Sequence, residues 1–85
     1  MTDYEVYLRT EAFEFLRHRH TDTRNRLLRL FHELSRDPYR RADFNERDQT
    51  GRDIQVLIFQ HYAISYWADH AVKELKVIDV RYADK

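Results

Sequence analysis

The chain has 85 residues, no cysteine, and fifteen basic against fifteen acidic side chains. That length supports one domain with one core, and the missing thiols exclude a disulfide scaffold and thiolate metal sites. A formal net charge of zero argues against a protein that works by gripping phosphates, which usually carries a basic excess.

The content of apolar residues is 42%, with one tryptophan, six tyrosines and five phenylalanines, which is a folding composition. The most apolar window, Ile54 to Ala68, is interrupted by Gln55, Gln60, His61 and Ser65 and is too polar to span a bilayer. The opening Met1-Thr2-Asp3-Tyr4-Glu5 lacks the basic-then-apolar order of a secretory signal. A cytoplasmic protein without membrane contact is expected.

In chain order, Tyr4, Val6 and Leu8 alternate with Glu5, Tyr7 and Arg9, the period of a half-buried strand. Thr10 is placed to cap a helix, and Glu11 suits its first turn because negative charge there opposes the helix dipole. Ala12, Phe13 and Leu16 share a face, with Phe15 at its edge. After a polar run, Thr21, Asp22 or Thr23 can cap a second helix. Its apolar stripe is Leu27, Leu30, Phe31 and Leu34. Asp37-Pro38 ends it, since the residue before proline is disfavoured in the helical region.

The second half changes period. Phe44 to Asp48 is a short polar strand candidate, and Gly51 marks a turn. Ile54 to Phe59 and Tyr62 to Trp67 alternate as strands. Asp69-His70-Ala71 turns the chain into a last strand around Leu75 to Val80, apolar on both faces as a central strand would be. The expected class is α+β, in the order β-α-α-β-β-β.

Charge is uneven. Residues 21–41 hold six arginines against three acids, and residues 42–53 hold four acids against two arginines. The first of these reads as a solvated basic helix edge. His18 and His20 are two apart on a helix, the wrong spacing for zinc, so no metal or cofactor is expected. One glycine cannot build a phosphate loop or a nucleophile elbow. Acid–base chemistry on RNA needs a base, a cation for the phosphorane and an acid. Glu46, Arg52 or Arg81, and His61 or Tyr82 are the residue types available.

In the last strand, simple alternation puts Leu75, Val77, Asp79 and Arg81 in one row and Ile78, Val80 and Tyr82 in the other. The polar end of the first row is the expected polar site, with Asp79 orienting Arg81. Phe13, Phe15, Trp67 and Arg52 are further candidates for contact with a partner.

Several strings, in order and spacing, resemble the RelE/ParE family of toxins from type II toxin–antitoxin systems. They are Tyr4-Glu5-Val6-Tyr7-Leu8, then Glu11, Ala12 and Leu16, then Leu34-Ser35-Arg36-Asp37-Pro38 and Gly51-Arg52. Tyr62-Ala63-Ile64-Ser65-Tyr66 and Val77-Ile78-Asp79-Val80-Arg81 complete them. The resemblance implies a single domain over residues 1–85, with a helix hairpin packed on a twisted antiparallel sheet. It also implies a toxin held inactive by a cognate antitoxin.

One branch of that family cleaves messenger RNA on the ribosome; the other inhibits DNA gyrase. The cleaving branch lines its central strands with basic side chains. Here those positions read as Gln55, Leu57 and Ala63, while Arg81 remains, followed by Tyr82. Each missing donor to a transition state costs roughly 3 kcal/mol. The expectation is therefore a toxin-type protein that acts by protein binding. The alternatives are a ribosome-dependent endoribonuclease using Arg81, Tyr82, Glu46 and His61, and a non-toxic interaction module of the same fold.

Overall fold

A computed structural model describes residues 3–83. Its elements are β1 (Glu5–Leu8), α1 (Thr10–Arg17), α2 (Thr21–Ser35), β2 (Phe44–Arg47), β3 (Asp53–Phe59), β4 (Tyr62–Asp69) and β5 (Glu74–Tyr82). The α+β class is as expected from the sequence. Among the described residues, no helix is long and apolar enough to cross a membrane.

Both helices begin differently from expectation. Thr10 is already helical; Arg9 occupies the cap position in an extended conformation and makes no side-chain cap. For α2 the cap is His20, whose ring nitrogen accepts the Asp22 N–H at 3.3 Å. The stripe Leu27, Leu30, Phe31 and Leu34 is buried as its spacing requires. At the end of α2, Ser35 is buried and its hydroxyl donates to the His32 carbonyl at 2.6 Å.

The sheet has five strands in the order β1-β5-β4-β3-β2. Strands β2 to β5 form an antiparallel meander. β1 joins β5 in parallel, with Glu5 opposite Glu74 and Leu8 opposite Val77. Two expectations are corrected here, and they share one cause. If each element reverses the one before it, six reversals separate β1 from β5 when β2 is counted, and the pair is parallel. Omitting β2, as the order β-α-α-β-β-β does, leaves five reversals and an antiparallel pair. The short polar segment Phe44–Arg47, exposed throughout, thus makes the sheet mixed.

The helices pack against β1 and β5 on one face. That face carries the core: Ala12 and Leu16 from α1, the α2 stripe, and Leu57, Ile64, Tyr66, Leu75, Val77 and Val80 from the sheet. Ile54, Val56 and Ala63 are also buried but lie outside this core, on the face that the helices leave uncovered.

A β-bulge sits between β4 and β5. Ser65 pairs with Asp79 and Tyr66 with Val77, so Ile78 has no partner. The extra residue resets the alternation. Leu75, Val77 and Val80 therefore all reach the core. Asp79 and Arg81 do share a face, but it is the uncovered one, opposite Leu75 and Val77. The single row from Leu75 to Arg81 does not exist.

Candidate functional site

The uncovered face is laid out by strand pairing. β2 contributes Phe44 and Glu46; β3 contributes Ile54, Val56 and Ile58; β4 contributes Ala63, Ser65 and Trp67. β5 adds Lys76, Asp79 and Arg81. Its middle is apolar, and Phe44 and Ile58 remain 58% and 39% exposed.

Arg81, near the end of β5, gathers the polar groups of this face. Its guanidinium donates to the Ser65 hydroxyl at 2.8 Å and to the Asp79 carboxylate at 3.1 Å. It also approaches the Glu46 carboxylate at 3.7 Å, reaching across from β5 to β2. Ser65 is only 5% exposed, so this bond satisfies a polar group that would otherwise be buried alone. Arg81 is thus held by two carboxylates.

A second cluster surrounds Trp67. The Arg52 guanidinium carbon lies 4.2 Å from the ring centroid, and the Lys76 ammonium lies 5.2 Å from it, both within cation–π range. Each cation is held by acids. Arg52 pairs with Asp48 at 3.3 Å, and Lys76 with Asp69 at 3.0 Å. The bond from Lys76 keeps the Asp69 carboxyl below its ordinary range.

The proposed acid–base set does not assemble. Glu46 and Arg81 meet, but Tyr82 is on the helix side. There it packs against Phe15 (5.7 Å) and Tyr62 (5.4 Å) and bonds through its hydroxyl to Arg19. His61 is exposed in the β3–β4 turn, beside the Tyr62 ring at 6.5 Å. Phe15 is half-buried in the Tyr82 cluster, with Arg19 stacked 4.3 Å from its ring, while Phe13 is 52% exposed on α1.

Sequence reasoning missed Ser65, Lys76 and Arg19. Ser65 was legible as the one small polar residue in the run Tyr62 to Ala68. Arg19 lies outside any periodic element and gave no signal. The choice of Gln55 and Leu57 as the positions lacking cations also needs correction. Both belong to the helix-side rows of β3, and Leu57 is a core residue. The residues of β3 on the uncovered face are Ile54, Val56 and Ile58, and none can neutralise a phosphate. Ala63 is on that face, paired with Arg81.

Solved structures of similar shape are toxin–antitoxin proteins. The RelBE2 complex from Mycobacterium tuberculosis aligns at a TM-score of 0.77 and 19% identity, over 100% of this chain and 97% of that one. The archaeal RelE–RelB complex from Pyrococcus horikoshii OT3 aligns at 0.78 and 15% identity, over 99% of both chains. The fold is that of the RelE toxins. The isolated E. coli RelE toxin aligns at 0.74 and 18% identity, over 96% of this chain and 86% of that one. No protein-family model and no curated protein matches the sequence. At these identities the likeness establishes the RelE fold and leaves function to the side chains.

Proposed function

We propose that this chain is the toxin-type component of a toxin–antitoxin pair, acting by binding a protein target and neutralised by a cognate antitoxin. The RelE fold supports the general reading, since chains of that shape occur in complexes with RelB. The observation that carries the mechanism is the setting of Arg81. Arg81 lies among two carboxylates, Asp79 and Glu46, and the other cations of the face, Arg52 and Lys76, are likewise paired with acids. A phosphorane transition state needs unopposed positive charge, and this centre has an excess of acid. Such a surface suits a protein partner, with Phe44, Ile58 and Trp67 as apolar contacts inside a charged rim. DNA gyrase is the target class that the gyrase-inhibiting branch suggests. Phe13 on α1 is a separate candidate contact for the antitoxin.

A second reading rests on the 3.7 Å contact between Glu46 and Arg81, which brings a base and a cation together as a ribosome-dependent endoribonuclease would require.

One experiment separates these readings. The chain is induced without a partner, and messenger RNA ends and gyrase supercoiling are both followed. Slowed growth with intact messages and inhibited supercoiling supports the binding reading. Cuts within translated codons that vanish in Arg81→Ala establish the ribonuclease. Normal growth with soluble folded protein leaves a non-toxic interaction module.

A further inference from the structure

The helices cover the β1–β5 side of the sheet and leave its other end bare on the same face. There the segment from Pro38 to Asp43 forms one wall of a cleft of about 790 Å³. The floor is a row across three strands, Asn45, Gln55 and Tyr66, paired one to the next. This cleft is on the opposite side of the sheet from Arg81.

Three features mark it as built for a ligand. First, Tyr66 is 2% exposed, and its hydroxyl is buried without a hydrogen-bond partner. Native structures rarely leave such a group alone. Burial pushes this phenol up, the charge of nearby Arg40 opposes the shift, and the Asp37 and Asp43 carboxylates add to it.

Second, the cleft has free positive charge. Among the described residues, Arg40 and Arg41 make no side-chain hydrogen bond or ion pair. Two of the neighbouring acids, those that line the cleft, are engaged. Asp43 accepts the Ile58 N–H at 2.7 Å, and Asp53 pairs with Arg47 at 3.2 Å.

Third, the rim carries an aromatic platform. Tyr39 is 76% exposed and stacks on His70, with ring centroids 4.7 Å apart and planes 6° apart. His70 is itself bonded to the buried Tyr4 hydroxyl at 2.7 Å. The platform is therefore anchored, with one face of Tyr39 open.

A flat ring, a donor-rich edge and an anion are the parts that these features select. We propose that the cleft binds a nucleoside monophosphate. The base stacks on Tyr39, its edge bonds to the amides of Asn45 and Gln55 and to the Tyr66 hydroxyl, and the phosphate is held by Arg40 and Arg41. The volume is ordinary for a small-molecule site. The proposal does not rest on the toxin reading, because it uses none of the residues around Arg81.

The test is calorimetric titration of the full chain with AMP, UMP, the matching nucleosides and inorganic phosphate. A mononucleotide should bind at least about tenfold tighter than nucleoside or phosphate alone, a ratio of one decade in Kd. The double variant Arg40→Gln/Arg41→Gln should lose about tenfold, and Tyr39→Leu should weaken base-dependent affinity. Tyr66→Phe is the sharpest probe. It should raise the melting temperature of the free protein, because an unpartnered hydroxyl is removed, while weakening the nucleotide. A role confined to packing would change only the first.

Absence of binding to the folded wild-type chain at millimolar mononucleotide overturns the proposal. So does phosphate binding as tightly as nucleotide, or affinity unchanged in the arginine double variant. Preference for a glutamate-rich peptide over mononucleotide would also overturn it, in favour of a protein ligand.

Discussion

Replacing Arg81 by alanine separates a functional side chain from a structural one. The side chain of Arg81 is 44% exposed, and its carboxylate partners Glu46 and Asp79 are 57% and 39% exposed. Ion pairs this exposed contribute under about 1 kcal/mol each, and the 3.7 Å contact to Glu46 less than the 3.1 Å contact to Asp79. The lost bond to Ser65 adds about 1 kcal/mol at most, since water can enter once the long side chain is gone. The two carboxylates then repel each other less than either was attracted to Arg81. The total is about 1–2 kcal/mol, or a fall in melting temperature of roughly 5–15 °C for a domain of this size. Partner binding, or growth inhibition if the chain is toxic, should fall more than about tenfold, the equivalent of about 1.4 kcal/mol. Urea unfolding gives the first quantity and titration against the cognate antitoxin or target gives the second. A cost above about 4 kcal/mol with unchanged binding would refute the reasoning and make Arg81 a structural strut. An Asp79→Ala/Arg81→Ala cycle should return a coupling below about 1 kcal/mol.

Phe31→Ala removes a ring with no exposure at the centre of the core. It should cost about 3–5 kcal/mol, read as a collapse of the urea midpoint. Asp48 anchors the β2–β3 turn, and the Thr50 hydroxyl and the Arg52 N–H hold its carboxyl below the ordinary range. Its contribution is therefore complete above about pH 4 and is lost as pH falls through the lower folded value. Asp48→Asn should flatten the acid limb of the stability profile and lower stability at neutral pH. Deleting Ile78 should preserve the fold and keep Arg81 on its face, because the residue is the unpaired member of the bulge. Deleting Val80, which reaches the core, should not be tolerated; circular dichroism and melting distinguish the two.

The sequence made the helices, the meander and most of the core legible, because these follow from spacing alone. Leu27, Leu30, Phe31 and Leu34 could only be one buried helix face. What it hid depended on pairing between distant strands. Phe44 to Asp48 was legible as a strand candidate and is β2, but with no buried residue it did not enter the element order, and leaving it out of that order made β1 antiparallel to β5. The Ile78 bulge was hidden because Val77-Ile78-Asp79-Val80 reads as smooth alternation until β4 is laid beside it. Gln55 and Leu57 were assigned to the wrong face of β3 for the same reason. The Glu46–Arg81 contact spans the sheet, and no local spacing encodes it. The cleft beneath residues 38–43 arises where the helices stop short, which is a matter of helix length against sheet width.

The parallel pairing of β1 with β5 also bears on the order in which the molecule folds. Every other strand contact is a hairpin or the joining of neighbouring strands, but Glu5 meets Glu74 only after nearly the whole chain has been gathered. Loop closure of that length is the slowest conformational search in the topology. The meander and α2 can condense first, leaving the edge of β5 open until the first strand arrives. A nascent chain has its N-terminal strand waiting from the outset for a partner strand that is made last. Amide protons of Val6 and Leu8 should accordingly exchange faster than those of Ile64 and Val80, with β1 as the first element to detach when the protein is stressed.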